Sequence, residues 1–168
     1  FLFEPRTGLL NYALSLLHIP PKAWTSDVNL ALPSIIAANI WRGVPYSLII
    51  QTSGLKSIDP ELYEAAYADG AGAGQRLVRI TLPLLKEFLL LNLILDTGMS
   101  FHVFDTIFAM TAGGPLYRTE TFSVYMYHQG FTFGDLGRGA AVGVLLLGVS
   151  LLIAVVYLRF FRERSHHV

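Results

Sequence analysis

Two ionisable side chains stand where an apolar chain accommodates them least: Arg42 and Asp96, each near the middle of a long hydrophobic stretch. A charge at bilayer depth is costly and ordinarily faces a partner or a watery cavity. Asn39 and Gly43 flank Arg42 on nearly one helical face, four residues apart. Asp96 and Ser100 repeat that spacing, with Met99 and Val103 alongside. Three arrangements satisfy this pattern: a structural Arg42–Asp96 pair, Arg42 reaching out to the interface, or a polar path for a solute. Enzyme signatures are weak by comparison. The glycines from Gly70 to Gly74 are followed by Arg76, with no lysine placed to reach a phosphate. The histidines (His18, His102, His128, His166 and His167) show no metal-ligand spacing beyond the terminal pair, and no metal site is expected. Gly98-Met-Ser100-Phe echoes a membrane serine hydrolase in four residues, but His102 lies on a different helical face from Ser100.

The elements that must position these groups are membrane helices. Hydrophobic residues make up 53% of the chain and charged ones 14%, with a mean hydropathy of +0.51. Net charge is zero and cysteine is absent, which excludes a nucleic-acid footprint, disulfides and thiolate metal sites. A bilayer core needs about 20 apolar residues in a helix. Three spans meet the pattern: about Ala31 to Thr52, about Ile80 to Met110, and Gly139 to Leu158. The last carries no charge, and Gly139 with Gly143 forms a small-xxx-small pair that admits a close neighbour. Lys56, Arg76, Arg79, Lys86, Arg159, Arg162 and Arg164 fall on one side of these spans. Arg6, Lys22, Arg118 and Arg138 fall on the other, so the first side reads as cytoplasmic. Residues 8–17 form an amphipathic segment stopped by Pro20-Pro21, with Trp24 suited to the headgroup region. Thr119 to Phe131, rich in aromatics, reads as a second interfacial helix, or as a surface in contact with solute.

The segment from Ser57 to Pro83 is polar and lies between greasy stretches. Asp59 is a candidate N-cap, Pro60 suits the first helical position, and Glu61 favours the positive end of a helix dipole. A short helix follows, and Gly70-Ala-Gly-Ala-Gly74 breaks it. A short exposed helix of this kind fits a groove in a partner; a plain solvated hairpin is the alternative.

Glu64-Ala65-Ala66, Asp69-Gly70-Ala71 and Ile80-Thr81-Leu82-Pro83 resemble the EAA loop of bacterial ABC importer permeases. Trp41-Arg-Gly-Val-Pro-Tyr46, Phe104-Asp105, Gly113-Gly114-Pro115 and Thr119-Glu-Thr121 resemble their carbohydrate-uptake branch, the maltose and glycerol-phosphate type. The likeness runs from about Gly8 to Phe161. Gly74 and Glu87 depart from it, standing where an aromatic and a proline are common. The resemblance implies an all-α transmembrane domain over residues 1–168, the C-terminal portion of a longer permease, with 57–83 as its cytoplasmic coupling loop. It implies that Glu64, Ala65, Ala66, Asp69, Gly70, Ala71 and Pro83 serve ATPase coupling. It places Asn39, Gly43, Asp96, Met99, Ser100 and Val103 near a translocated sugar; the charge of Arg42, if it lies in the same path, would suit an anionic one. It also puts Gly113 to Arg138 outside, at a face shaped for a binding protein. The expected partners are a second permease subunit, a cytoplasmic ATPase dimer that uses ATP and Mg, an extracytoplasmic solute-binding protein and lipid. No cofactor is expected on this chain. Other importer branches, for amino acids or oxyanions, share the loop but not the second set of motifs.

Overall fold

A computed structural model describes residues 2–164; for Leu158 and residues 160–164 it describes the backbone alone. His166 and His167 lie outside the described residues. Every regular element among those described is helical: α1 (Leu9–Leu16), α2 (Ala31–Lys56), α3 (Pro60–Ala68), α4 (Ala73–Arg76), α5 (Leu82–Phe101), α6 (Asp105–Thr111), α7 (Phe122–Tyr127) and α8 (Leu136–Arg164). Two π-helical turns, Leu77–Thr81 and His128–Thr132, precede α5 and follow α7. Helices of 26, 20 and 29 residues extend about 39, 30 and 44 Å at the usual rise, enough for a bilayer core. Among the described residues one helix is apolar enough to cross by composition alone, Leu136–Tyr157 within α8. α2 and α5 have the length but carry Arg42 and Lys86, Glu87 and Asp96.

The chain divides into two compact units, Phe1–Ile40 with Ser100–Val168, and Trp41–Met99. The first is centred on Ile35, Ile107 and Val124, with Val103, Phe104 and Met110 packed around them. The expected second span proves shorter than its hydrophobic run. α5 stops at Phe101, and the chain turns through Val103 and Phe104 before α6. The break is held by a tertiary bond, Thr121 Oγ1 donating to the Val103 carbonyl at 3.2 Å. The loop after α6 takes left-handed backbone at Ala112 and Gly113. Thr119, 3% exposed, closes it: its hydroxyl lies 2.7 Å from Thr111 Oγ1 and 2.6 Å from the Gly114 carbonyl. Phe104 stacks on Phe108 and Tyr127 packs tilted and edge-on against them, with ring centroids 4.8–5.3 Å apart. The aromatic segment after Thr119 is therefore helical as expected, with Tyr127 turned inward and Phe122 and Phe131 exposed.

The small-residue face of α8 has its neighbour inside this same unit. A Cβ on Gly139 would meet Gly130 Cα and N at 3.0 Å and the Met126 carbonyl oxygen at 3.2 Å. α7 and the π turn after it thus pack on α8 at backbone distance.

At the N-terminal side, α1 ends before the prolines, in a Schellman turn with His18 left-handed at φ 56°. Ile19 N–H bonds the Leu14 carbonyl and His18 N–H that of Ser15. Asn11, 6% exposed, ties the flanking segments. Its amide donates to the Pro5 and Lys22 carbonyls at 2.8 and 2.9 Å, and its oxygen accepts from Lys22 N–H and the Trp24 indole at 3.0 and 2.9 Å.

Candidate functional site

α3 forms as its sequence dictates. The Asp59 carboxylate accepts from Glu61 N–H at 3.0 Å, and Pro60 occupies the first helical position. The far end closes as a Schellman turn: Ala71 N–H bonds the Ala66 carbonyl at 2.9 Å, and Gly70 N–H bonds that of Tyr67 at 3.0 Å. Gly70 takes φ 77°, the left-handed geometry this closure needs and glycine adopts freely. Gly72 N–H then bonds Gln75 Oε1 at 3.1 Å, starting α4. Gly74, one of the two departures from the resemblance, faces open space: a Cβ there meets nothing within 4 Å. Pro83 lies near the start of α5. Its ring crowds the carbonyl four residues back, that of Arg79, which lies in the wider π turn.

Of the coupling candidates, Glu64, Ala65, Asp69, Gly70 and Pro83 are exposed, while Ala66 and Ala71 are half-buried. The helix therefore offers Glu64 and Ala65 to solvent. Its other side meets its own chain at Tyr63, whose hydroxyl lies 2.9 Å from Thr81 Oγ1.

The solute-path candidates divide between the two units. Arg42, Gly43, Asp96 and Met99 belong to one; Asn39, Ser100 and Val103 belong to the other. Asp96 is half-buried, and its Oδ2 accepts from Asn92 Nδ2 at 3.1 Å. The same amide donates to Ser47 Oγ, also at 3.1 Å, joining α2 to α5. Asn92 Oδ1 and Gln51 Oε1 are buried without a protein partner. Below them Gly54 lets the two helices close up, since a Cβ there would fall 2.6 Å from Phe88 Cγ. Ser47, Asn92, Asp96 and Gln51 thus make a polar seam, able to hold water or offer hydrogen bonds to hydroxyls. Sequence reading missed Asn92, although it stands four residues before Asp96 and so shares its helical face. Val103 packs against the apolar core. His102 Nε2 lies 3.3 Å from Ser150 Oγ of α8. Among the described residues no three His, Cys, Asp or Glu side chains cluster as metal ligands.

These elements make an all-helical domain with an exposed, doubly capped loop helix and a polar seam between α2 and α5. The chain belongs to the family of binding-protein-dependent transport system inner membrane components, whose sequence profile matches residues 5–165. It is 38% identical to the trehalose/maltose transport system permease protein MalF of Thermococcus litoralis, over 94% of this chain and 53% of that one. It is 35% identical to the sulfoquinovosyl glycerol transport system permease protein SmoG of Agrobacterium fabrum, over 97% and 53%. The fold matches a bacterial ABC transporter involved in the import of the acidic polysaccharide alginate, at TM-score 0.86 and 28% identity, covering 96% of this chain and 57% of that one. The chain spans about half the length of the curated relatives it matches.

Proposed function

We propose that this chain serves as a permease subunit of an ATP-driven importer for a sugar or sugar derivative, with α3 as the helix that docks in a cytoplasmic ATPase. The observation that carries this is α3 itself: local caps fix both ends, its own chain holds one side, and Glu64 and Ala65 remain free for a partner. The excess of Lys and Arg on its side of the spans supports a cytoplasmic position. Relatives named for trehalose/maltose, sulfoquinovosyl glycerol and sn-glycerol-3-phosphate transport support the solute class. The partner hydrolyses ATP with Mg, and this chain binds no cofactor. A second permease subunit completes the path. A solute-binding protein delivers to the outer face, as suggested by the alginate transporter bound to a periplasmic protein. ATP-driven closure displaces α3 and biases the helices between inward- and outward-facing states through contacts that differ between them.

The test is Glu64→Lys. The variant should fold and insert normally, yet fail to copurify with the ATPase or to transport. Normal copurification together with normal uptake refutes the role of Glu64.

A further inference from the structure

Within this chain, α3 is tied to the segment that leads into α5 by side-chain contacts. Tyr63 and Tyr67, one helical turn apart, make them. Tyr63 Oη lies 2.9 Å from Thr81 Oγ1, and the Arg76 guanidinium sits 5.5 Å above the Tyr67 ring. Glu61, Glu64, Ala65 and Ala68 are all exposed. α3 is tied to its own chain at Tyr63, while Tyr67, 72% exposed, only lies beside Arg76.

Thr81 is the informative partner. It is 8% exposed and closes the π turn that leads directly into α5. Its hydroxyl hydrogen goes to the Arg76 carbonyl at 3.4 Å. With that hydrogen so directed, the Tyr63 hydroxyl is the donor left for the 2.9 Å contact. One hydrogen-bonded chain, Tyr63 to Thr81 to the Arg76 carbonyl, joins the loop helix to the root of α5. π turns recur where a helix does more than extend; this one lies where the loop enters the long helix.

We infer that Tyr63 and Thr81 form a latch that makes α3 and the start of α5 move as one body. Tyr63 is then a positioning residue for coupling, facing its own chain and not the ATPase. The inference rests on the docking role proposed for α3. Tyr63→Phe isolates the bond, because it removes one oxygen and keeps the ring.

These 168 residues contain no cysteine, so spin labels can be placed at Leu62→Cys on α3, off the face of Glu64, and Leu89→Cys on α5, both exposed. Distances are read in the membrane complex with its ATPase, without nucleotide and after trapping with ATP, Mg and vanadate. The labelled background, with Tyr63 and Thr81 intact, should show one narrow distance in both states. Tyr63→Phe and Thr81→Val should each raise the displaced population of α3 about fivefold, the weight of one net hydrogen bond, and only in the trapped state. Thr81→Ser should restore the narrow distance, and the double variant should exceed neither single one. Unchanged distances in Tyr63→Phe, or equal broadening with and without nucleotide, overturn the latch. A complex with Tyr63 and Thr81 intact that neither retains the ATPase nor traps nucleotide overturns the docking role beneath it instead.

Discussion

Three glycines on α8 allow a graded test of how this helix is packed. At Gly139 a Cβ would sit 3.0 Å from Gly130 Cα and N and 3.2 Å from the Met126 carbonyl oxygen, all backbone atoms. At Gly143 it would meet only Met126 Sδ, at 3.2 Å, the flexible end of a side chain. At Gly148 it would meet nothing within 4 Å. Replacing a helical glycine by alanine favours the helix by about 1 kcal/mol at any of the three. Overpacking against backbone that cannot rotate aside costs about 1–3 kcal/mol, and only Gly139 incurs it in full. Stability should thus fall in the order Gly148→Ala, Gly143→Ala, Gly139→Ala. The outer two should differ by about 1–3 kcal/mol, or about 2–12 °C in Tm for a chain of this size. The assay is the thermal midpoint of the detergent-purified protein, followed by size-exclusion fluorescence under one set of conditions. Coincident midpoints for Gly139→Ala and Gly148→Ala would show that α7 and its π turn do not pack on α8 at backbone distance.

Gly70→Ala should loosen the end of α3 by about 1–2 kcal/mol from backbone strain alone, because φ is 77° and nothing crowds the site. Amide exchange at Gly70 and Ala71 should accelerate about five- to thirtyfold, and unchanged exchange refutes the Schellman closure. Asn11→Ala removes four hydrogen bonds at a buried position. In a Trp41→Phe background the Trp24 emission should shift to the red, and an unshifted spectrum counts against that network. Arg42→Gln should reduce uptake of anionic sugars about tenfold more than that of neutral ones, the scale of one charged hydrogen bond. Equal losses refute a charge-selective role for Arg42.

The loop helix was legible in the sequence because everything that delimits it is local. Asp59, Pro60 and Gly70 act on backbone groups within a few residues of themselves, so their types and spacing specify α3 wherever it lies. The long spans were legible for a similar reason, since apolar composition and length need no knowledge of neighbours. The solute-path candidates were legible only as helical faces. Arg42 and Asp96 stand out by charge, but the bonds from Asn92 to Ser47 and to Asp96 reveal a seam, and Ser47 lies 45 residues away. The hydrophobic run from Ile80 to Met110 reads as one span because periodicity continues through it. Its break at Val103 and Phe104 depends on Thr121, which no local pattern connects to it.

The sequence by itself determined the class of protein, the long helices and the caps of α3, through interactions that close within one or two turns. The tertiary structure alone decided which faces meet. It set Tyr63 on Thr81, Asn11 on Trp24, and Gly139 against Gly130. The reason is physical. A hydrogen bond or a close approach between distant segments depends on the path of all the chain between them, whereas a cap depends only on its own turn.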